Sequence, residues 1–504
     1  MKLKELLQGV EVKKIIGDID AEVSGISCDS KLAKKGFCFV AIRGANVDGH
    51  KFILDAIKNG ASVIVSEKEF TVSNDVSNVI VSDTRLALAG ISSQFFGNPS
   101  RSMRVTGITG TNGKTTTTYL IESILNHAGG KTGVIGTVNW RYAGHEMPAP
   151  NTTPISFDLQ SLLYEMKKKN ISDVVMEVSS HALDQGRVEG VHFDTAIFTN
   201  LTQDHLDYNK NLESYYTAKK LFFDKFLVQS LKKEKTAIIN KDDEFGMRLI
   251  SECKQLKKIT YGFGKKADVK IEAIESTIDG NKMKVATPWG HLDLFSRLKG
   301  RFNALNVLAA IAVCGTYKIR PDIIKEGIET VVKIPGRLED VQLDRDFSVF
   351  VDYAHTPDAL KNVLSTLKPL TSKRIITVFG CGGDRDKGKR PLMGEIAADL
   401  SNVVIVTSDN PRSEDPAKII EDILPGITGS KLRAYSGNGT GYMIEKDRAK
   451  AIAMAVKMAA KGDIILIAGK GHEDYQIIGN KKTHFDDKEE VRRACQQAGK
   501  CVSV

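Results

Sequence analysis

The sequence predicts an α/β protein of three domains: a small N-terminal α/β domain, a central parallel-sheet domain on a phosphate-binding loop, and a C-terminal Rossmann-like domain. Three observations predict it. At 504 residues the chain has room for about three domains of roughly 150 residues each. Short runs rich in Val and Ile alternate with amphipathic segments, the pattern of a mostly parallel sheet covered by helices. One stretch, VTGITGTNGKTT at 105–116, passes from an apolar run through glycines into a helix start.

Composition narrows the function classes. Hydrophobic residues are 41% and charged residues 26%, ordinary for a soluble globular protein. The net charge of +9 suits anionic small substrates, but the basic clusters at 167–169 and 254–258 are isolated, so no nucleic-acid stripe is expected. Seven cysteines without a CxxC indicate neither zinc nor a disulfide framework, which fits a reducing cytosol. The start, MKLKELLQGVEVKK, lacks the apolar core of a signal peptide, and no apolar run approaches the ~20 residues of a membrane span. A cytoplasmic monomer is expected.

In residues 1–98, strands are expected at 23–27, 37–42, 62–66 and 78–82, with a helix over 53–58. Asp29-Ser30 and the loop 44–49 are polar edges that can hold a ligand, although by residue type ordinary turns are favoured about two to one. The turn cluster Asn98-Pro99-Ser100-Arg101 closes this domain at residue 98.

The central domain, 99–334, opens on the glycine-rich loop. Glycines let backbone N–H groups approach phosphate oxygens, and the helix N-terminus adds a favourable dipole. Gly110, Thr111, Asn112 and Gly113 form the cradle, Lys114 reaches the outer phosphates, and Thr115, followed by Thr116, ligates magnesium. The spacing departs from the common phosphate loop, with Ile108 where a glycine is usual. A strand at 132–136 follows, and Asn151-Thr152-Thr153-Pro154 is expected to cap a helix. The strand DVVMEV at 173–178 carries Glu177 near its end, where a carboxylate faces phosphate-bound magnesium. In SSHALDQGRV, Ser179, Gln185 and Arg187 are donors for a phosphate or carboxylate, or equally the polar side of a surface helix. A strand at 193–200 ends in TNLTQDHLDYN, where Asp204, His205 and Asp207 crowd the ligand-binding edge of the sheet. In YYTAKKLFF, composition alone reads Lys219 and Lys220 as a solvated helical face.

The segment IPGRLE at 334–339 is the expected hinge into residues 335–504. Strands at 347–351, 375–379, 403–407 and 464–468 alternate with helices. Gly380, Gly382 and Gly383 do not fit G-x-G-x-x-G, so a dinucleotide site is rejected. The strand ends read DYAHTPDAL, GCGGDRDKGKRP, SDNPRSEDP and GKGHEDYQ, and four polar ends pointing one way build a pocket.

In order and interval, GTNGKTT, NTTP, EVSSHALDQGRV, TNLTQDHLDY and YYTAKKLFF resemble the central domain of the Mur ligases, which join an amino acid to a carboxylate using ATP. The four polar strand ends resemble the third domain of the tripeptide-forming members. The resemblance implies an ATP-dependent amide ligase of peptidoglycan precursor synthesis with Mg2+ as cofactor. It implies that Lys219 is carbamylated (N6-carboxylysine) and serves the metal with Thr115, Glu177 and His205, and that Asn303 and Arg337 join the ATP site. Asn151, Thr152, Thr153, Ser179, Gln185 and Arg187 fall to UDP-MurNAc-L-Ala-D-Glu, with Ser30 the choice for uracil. Arg385, Asp409, Asn410, Pro411, Arg412, Gly469 and Glu473 fall to meso-diaminopimelate. The DNPR run marks the diaminopimelate-adding members, and the chemistry agrees. An arginine fork grips the distal carboxylate, whereas L-lysine brings an ammonium to it, a mismatch that discriminates by about 10⁴. Asn209 stands where the family often has His and receives no role. The rivals are a lysine-adding relative, a folylpolyglutamate synthetase, and a nucleotide-gated switch that ligates nothing.

Overall fold

A computed structural model describes residues 1–44, 47–70, 75–204, 206–437, 439–497 and 499. The fold is α/β with three main sheets of five, eleven and six strands, and a small two-stranded ribbon. No helix among the described residues is long and apolar enough to cross a membrane.

The first sheet has Val12–Ile16 on one edge, paired with Ser77–Val81, and Gly25–Ser27 on the other, and its domain carries the expected helix Ile53–Lys58. The strand Val12–Ile16, on the edge of this sheet, was not anticipated: it buries no residue fully, and its exposed Lys13 and Lys14 interrupt the apolar signal.

The central sheet holds the site. Strands Arg104–Thr109, Thr132–Ile135, Asp173–Glu177, Thr195–Phe198 and Thr236–Asn240 are mutually parallel, so their carboxyl ends share one edge. Successive residues alternate between two cores. Val174, Met176 and Phe198 face one, and Ile108, Val175 and Ile197 face the other. Burial on both faces is why these strands read as continuous apolar runs, each buried Val, Ile or Phe contributing about 1.5–3 kcal/mol. An antiparallel meander, Val269–Thr277, Gly280–Thr287 and Gly290–Ser296, extends this sheet. Its half-exposed strands escaped the reading.

One expectation is overturned. The residues Asn151-Thr152-Thr153-Pro154 do not cap a helix: the next helix is Ser156–Lys168, its cap position is Ile155, and no side chain caps it. The Thr153 hydroxyl instead donates to the Glu177 carbonyl at 2.9 Å and accepts from the Ser179 N–H at 3.1 Å. It ties this loop to the end of the Glu177 strand.

In the C-terminal sheet, Ser348–Asp352, Ile464–Ala468, Ile375–Phe379, Val403–Val406 and Gly441–Ile444 are parallel neighbours in that order. Their polar carboxyl ends face the central sheet: Asn112 Nδ2 donates to Asp358 Oδ2 at 2.9 Å, and Gln203 Nε2 to Asp386 Oδ2 at 3.3 Å.

Candidate active site

The glycine loop joins Arg104–Thr109 to the helix Lys114–His127. Gly113 caps that helix at φ +88° with no side-chain cap, and an added Cβ would lie 2.3 Å from Asn306 Oδ1. The first helical N–H groups are therefore left for an anion. Lys114 Nζ donates to the carbonyls of Gly110 and Thr111 at 2.9 Å each. Burial pulls its ammonium below the usual lysine range, while Glu177 and Asp204 oppose that shift.

Glu177, 1% exposed, is the centre of the site. It accepts from Thr115 Oγ1 at 2.9 Å, from the Thr137 N–H at 3.0 Å and from Thr137 Oγ1 at 2.9 Å. Arg337, in the segment that precedes the C-terminal sheet, donates through Nη2 to Thr115 Oγ1 at 3.0 Å. Thr137, just beyond the strand Thr132–Ile135, was missed, since only its place on the shared sheet edge gives it meaning.

Glu177 bonds one lining residue of each of two cavities, Thr115 of the first and Thr137 of the second. One, of about 630 Å³, is lined by Gly113, Thr115, Thr116, Phe302, Asn306 and Arg337. Asn303 lies in the same helix but is buried behind it, with its amide bonded to the Lys299 carbonyl at 2.8 Å. The other, of about 410 Å³, lies between the central and C-terminal sheets. Asn151, Thr152, Thr153, Ser179 and Arg187 line its central side. Arg385, Asp409, Asn410, Arg412, Gly469 and Glu473 line its C-terminal side. Gln185 does not line it, but accepts from Arg187 Nε at 3.0 Å and so orients that guanidinium. Pro411 is buried outside the lining. Ser30 sits in the first sheet's domain, away from both cavities, its carbonyl taking the Asn59 amide at 2.9 Å.

The C-terminal side of the second cavity is amphoteric. Arg412 donates through Nη1 to the Gly383 carbonyl at 2.8 Å. Opposite, Asn410 Nδ2 donates to Glu473 Oε2 at 2.7 Å. Burial, then the neighbouring Asp409, pushes the Glu473 carboxyl up. Burial lowers His355 to about 4 and His472 to about 3, so both imidazoles are neutral near neutral pH.

Lys219 corrects the reading of its helix. In Leu212–Leu221 it is 1% exposed, with Nζ 4.3 Å from the centre of the Tyr215 ring. Burial, then the nearby Lys114 cation, drives its ammonium well below the usual range. Lys220 keeps to the outer face and pairs with Glu252 at 2.7 Å. His205, and Ala45 and Asn46 of the loop 44–49, lie outside the described residues. Magnesium fits the donors that are described, since the Thr115 hydroxyl and Glu177 carboxylate are hard oxygen ligands beside a phosphate cradle. The described residues hold no cluster of three or more His, Cys, Asp or Glu, and an ion that keeps several waters and binds nucleotide phosphates needs none.

Comparison with known proteins bears on the same residues. The pattern described as the Mur ligase middle domain matches residues 108–314, the Mur ligase glutamate ligase domain 336–471, and the Mur ligase family catalytic domain 22–96. The UDP-N-acetylmuramoyl-L-alanyl-D-glutamate--2,6-diaminopimelate ligase of Geobacter metallireducens is 45% identical over 99% of both chains. That of Clostridium perfringens is 43% identical over 97% of this chain and 99% of its own. A solved structure of a ligase of that name superposes with a TM-score of 0.69 at 33% identity over 99% of both chains. MurF from Acinetobacter baumannii shares the fold, with a TM-score of 0.66 at 19% identity over 93% of this chain and 95% of its own.

Proposed function

The chain belongs to the Mur ligase family, and we propose that it adds meso-2,6-diaminopimelate to the D-Glu carboxylate of UDP-N-acetylmuramoyl-L-Ala-D-Glu, consuming ATP. The observation that carries this reading is that one buried carboxylate, Glu177, is hydrogen-bonded to the wall of each of two cavities, through Thr115 and Thr137. One is a phosphate cradle, and the other has arginines and carboxylates suited to a zwitterion at one end.

The D-Glu carboxylate is anionic and lacks a leaving group, so it must first be activated. One of its oxygens attacks the γ-phosphorus of ATP, the bond to ADP breaks, and an acyl phosphate forms. The neutral amine of diaminopimelate then attacks the acyl carbon, phosphate departs, and the nitrogen loses a proton. The first barrier is largely charge repulsion. Lys114 and the helix N-terminus offset it at the phosphates, and Arg337 supports Thr115 from the other domain. Magnesium, held by Thr115 and Glu177 with His205 and carbamylated Lys219, would neutralise phosphate charge. Lys219 suits carbamylation because only the neutral amine adds carbon dioxide, and burial favours that form. Arg187, steadied by Gln185, faces the acyl donor. Arg412 and Arg385 face the distal carboxylate of the diamine, while Asp409 and Glu473 face its ammonium. Asn303 supports Asn306 at the nucleotide cavity, and Ser30 belongs to the uracil end.

The test is an amino-acid panel with purified protein, ATP and the UDP-muramyl dipeptide. ADP release should require both the dipeptide and meso-diaminopimelate. Equal turnover with L-lysine would falsify the substrate assignment, and ADP release without either acceptor would return the chain to the switch class.

A further inference from the structure

The run GKGHEDYQ contains a lysine with no task so far. Lys470 has a side-chain exposure of 0% and does not line the second cavity. Its ammonium donates to the Tyr475 carbonyl, and lies 3.5 Å from Asn410 Oδ1 and 3.4 Å from Glu473 Oε2. Both of those neighbours do line the cavity. Asn410 is held on both ends of its amide: Nδ2 donates to Glu473, and Oδ1 accepts the Ile477 N–H at 2.9 Å. Asp409 is buried beside them, against Gly469. The cluster is also faced by Arg412, Tyr353, Tyr475 and Asp474, and by Arg448, which is paired with Asp487 at 2.7 Å. Burying an ammonium is costly unless it is paired and hydrogen-bonded. Here it is both, and its partners are the groups that present the pocket's negative end.

We propose that Lys470 is a positioning residue for the amino-acid substrate: the internal counter-ion of Glu473, which holds that carboxylate and the Asn410 amide in one arrangement facing the cavity beside Asp409 and so reserves that end for the ammonium of an amino acid. This rests on the amino-acid reading of the cavity. With Lys470 the cluster carries one net negative charge, matched to one ammonium. Without it two like charges share a buried site, one carboxylate takes up a proton, and that group no longer accepts from the substrate. Burial and Asp409 already push Glu473 toward that state, and Lys470 pulls it back.

The test is steady-state kinetics of full-length Lys470→Met, with meso-diaminopimelate, ATP and UDP-muramyl dipeptide varied in turn from about pH 6 to about pH 9. At neutral pH the KM for diaminopimelate should rise about tenfold or more while that for ATP stays within about twofold. The defect should shrink as pH rises and Glu473 loses its proton, a recovery absent from the unsubstituted chain. A variant whose diaminopimelate KM is unchanged, or raised equally at every pH, overturns the role. If Lys470→Met fails to fold, Lys470→Met/Glu473→Gln removes the unbalanced charge: a folded double variant supports the ion pair, and one as unfolded as the single variant overturns it. An unsubstituted chain without amino-acid-dependent ADP release sinks the cavity assignment, and this role with it. A normal parent with a pH-flat variant sinks the role alone.

Discussion

Replacing Arg412 with glycine separates what its backbone does from what its guanidinium does. Arg412 holds φ at +51°, a left-handed conformation that costs an L-residue roughly 1–2 kcal/mol. It stays there because its N–H donates to the Ile477 carbonyl at 3.1 Å and its carbonyl accepts the Gly479 N–H at 2.7 Å. Glycine adopts that conformation readily, so Arg412→Gly should keep the loop and leave Tm unchanged or slightly raised. The guanidinium is what it removes. Nη1 is engaged by the Gly383 and Asn410 carbonyls, at 2.8 and 3.4 Å, while Nε and Nη2 make no hydrogen bond with the described residues. One edge of the fork is thus available to a substrate carboxylate. A charge-assisted hydrogen bond contributes about 1.5–3 kcal/mol, so its loss should raise the KM for diaminopimelate by about 10–100-fold. The KM for ATP should stay within about twofold, because uniform binding of the second substrate is what is removed. Discrimination against L-lysine should fall as well, since the like-charge clash is gone. The assay is ADP release with each substrate varied while the others saturate, alongside a melting curve. An equal rise in both KM values at unchanged Tm, or an unmoved diaminopimelate KM, would refute the clamp.

Other perturbations probe separate parts of the site. Lys219→Ala should lower kcat by about 10²–10³-fold, the cost of one preorganised electrostatic partner. Added formate or acetate should restore part of it, and undiminished turnover without them counts against a carbamate. Gly469→Ala places a Cβ 2.4 Å from Asp409 Oδ2 at φ +114°, so the diaminopimelate KM should rise about tenfold with nucleotide affinity intact, as isothermal titration would report. Burial raises Asp352 from 3.8 to about 6 against the pull of Arg337. The folded chain then holds this proton more tightly than the unfolded chain. The contribution is therefore present at low pH and is lost as pH rises from 3.8 to about 6, by about 3 kcal/mol. Asp352→Asn should flatten that part of the urea-unfolding profile, and parallel profiles for the two proteins would exclude the assignment.

Legibility followed the kind of signal. Ile53–Lys58, Ile375–Phe379 and Ile464–Ala468 coincide with their expected bounds because each is a compact apolar or amphipathic run between turn residues. The meander over 269–296 escaped because its strands bury one face and alternate with Lys and Glu. NTTP misled because a threonine at a loop end caps a helix or ties a strand equally well, and only the position of the Glu177 carbonyl decides between them. Lys219 had a readable signal: it lies one turn from Tyr215 and one turn before Phe222 and Phe223, all buried, so the lysine interrupts an apolar stripe.

By itself the sequence determined the phosphate loop, the Glu177 strand and the four polar strand ends, because glycine turns, helix starts and apolar runs act over a few contiguous residues. Only the tertiary structure decided that Thr115 and Thr137 converge on one carboxylate, that Lys219 and Lys470 are buried, and that each of the two threonines lines a separate cavity. The reason is that parallel strands bring distant segments to one edge, and burial depends on what packs against a side chain rather than on its neighbours along the chain.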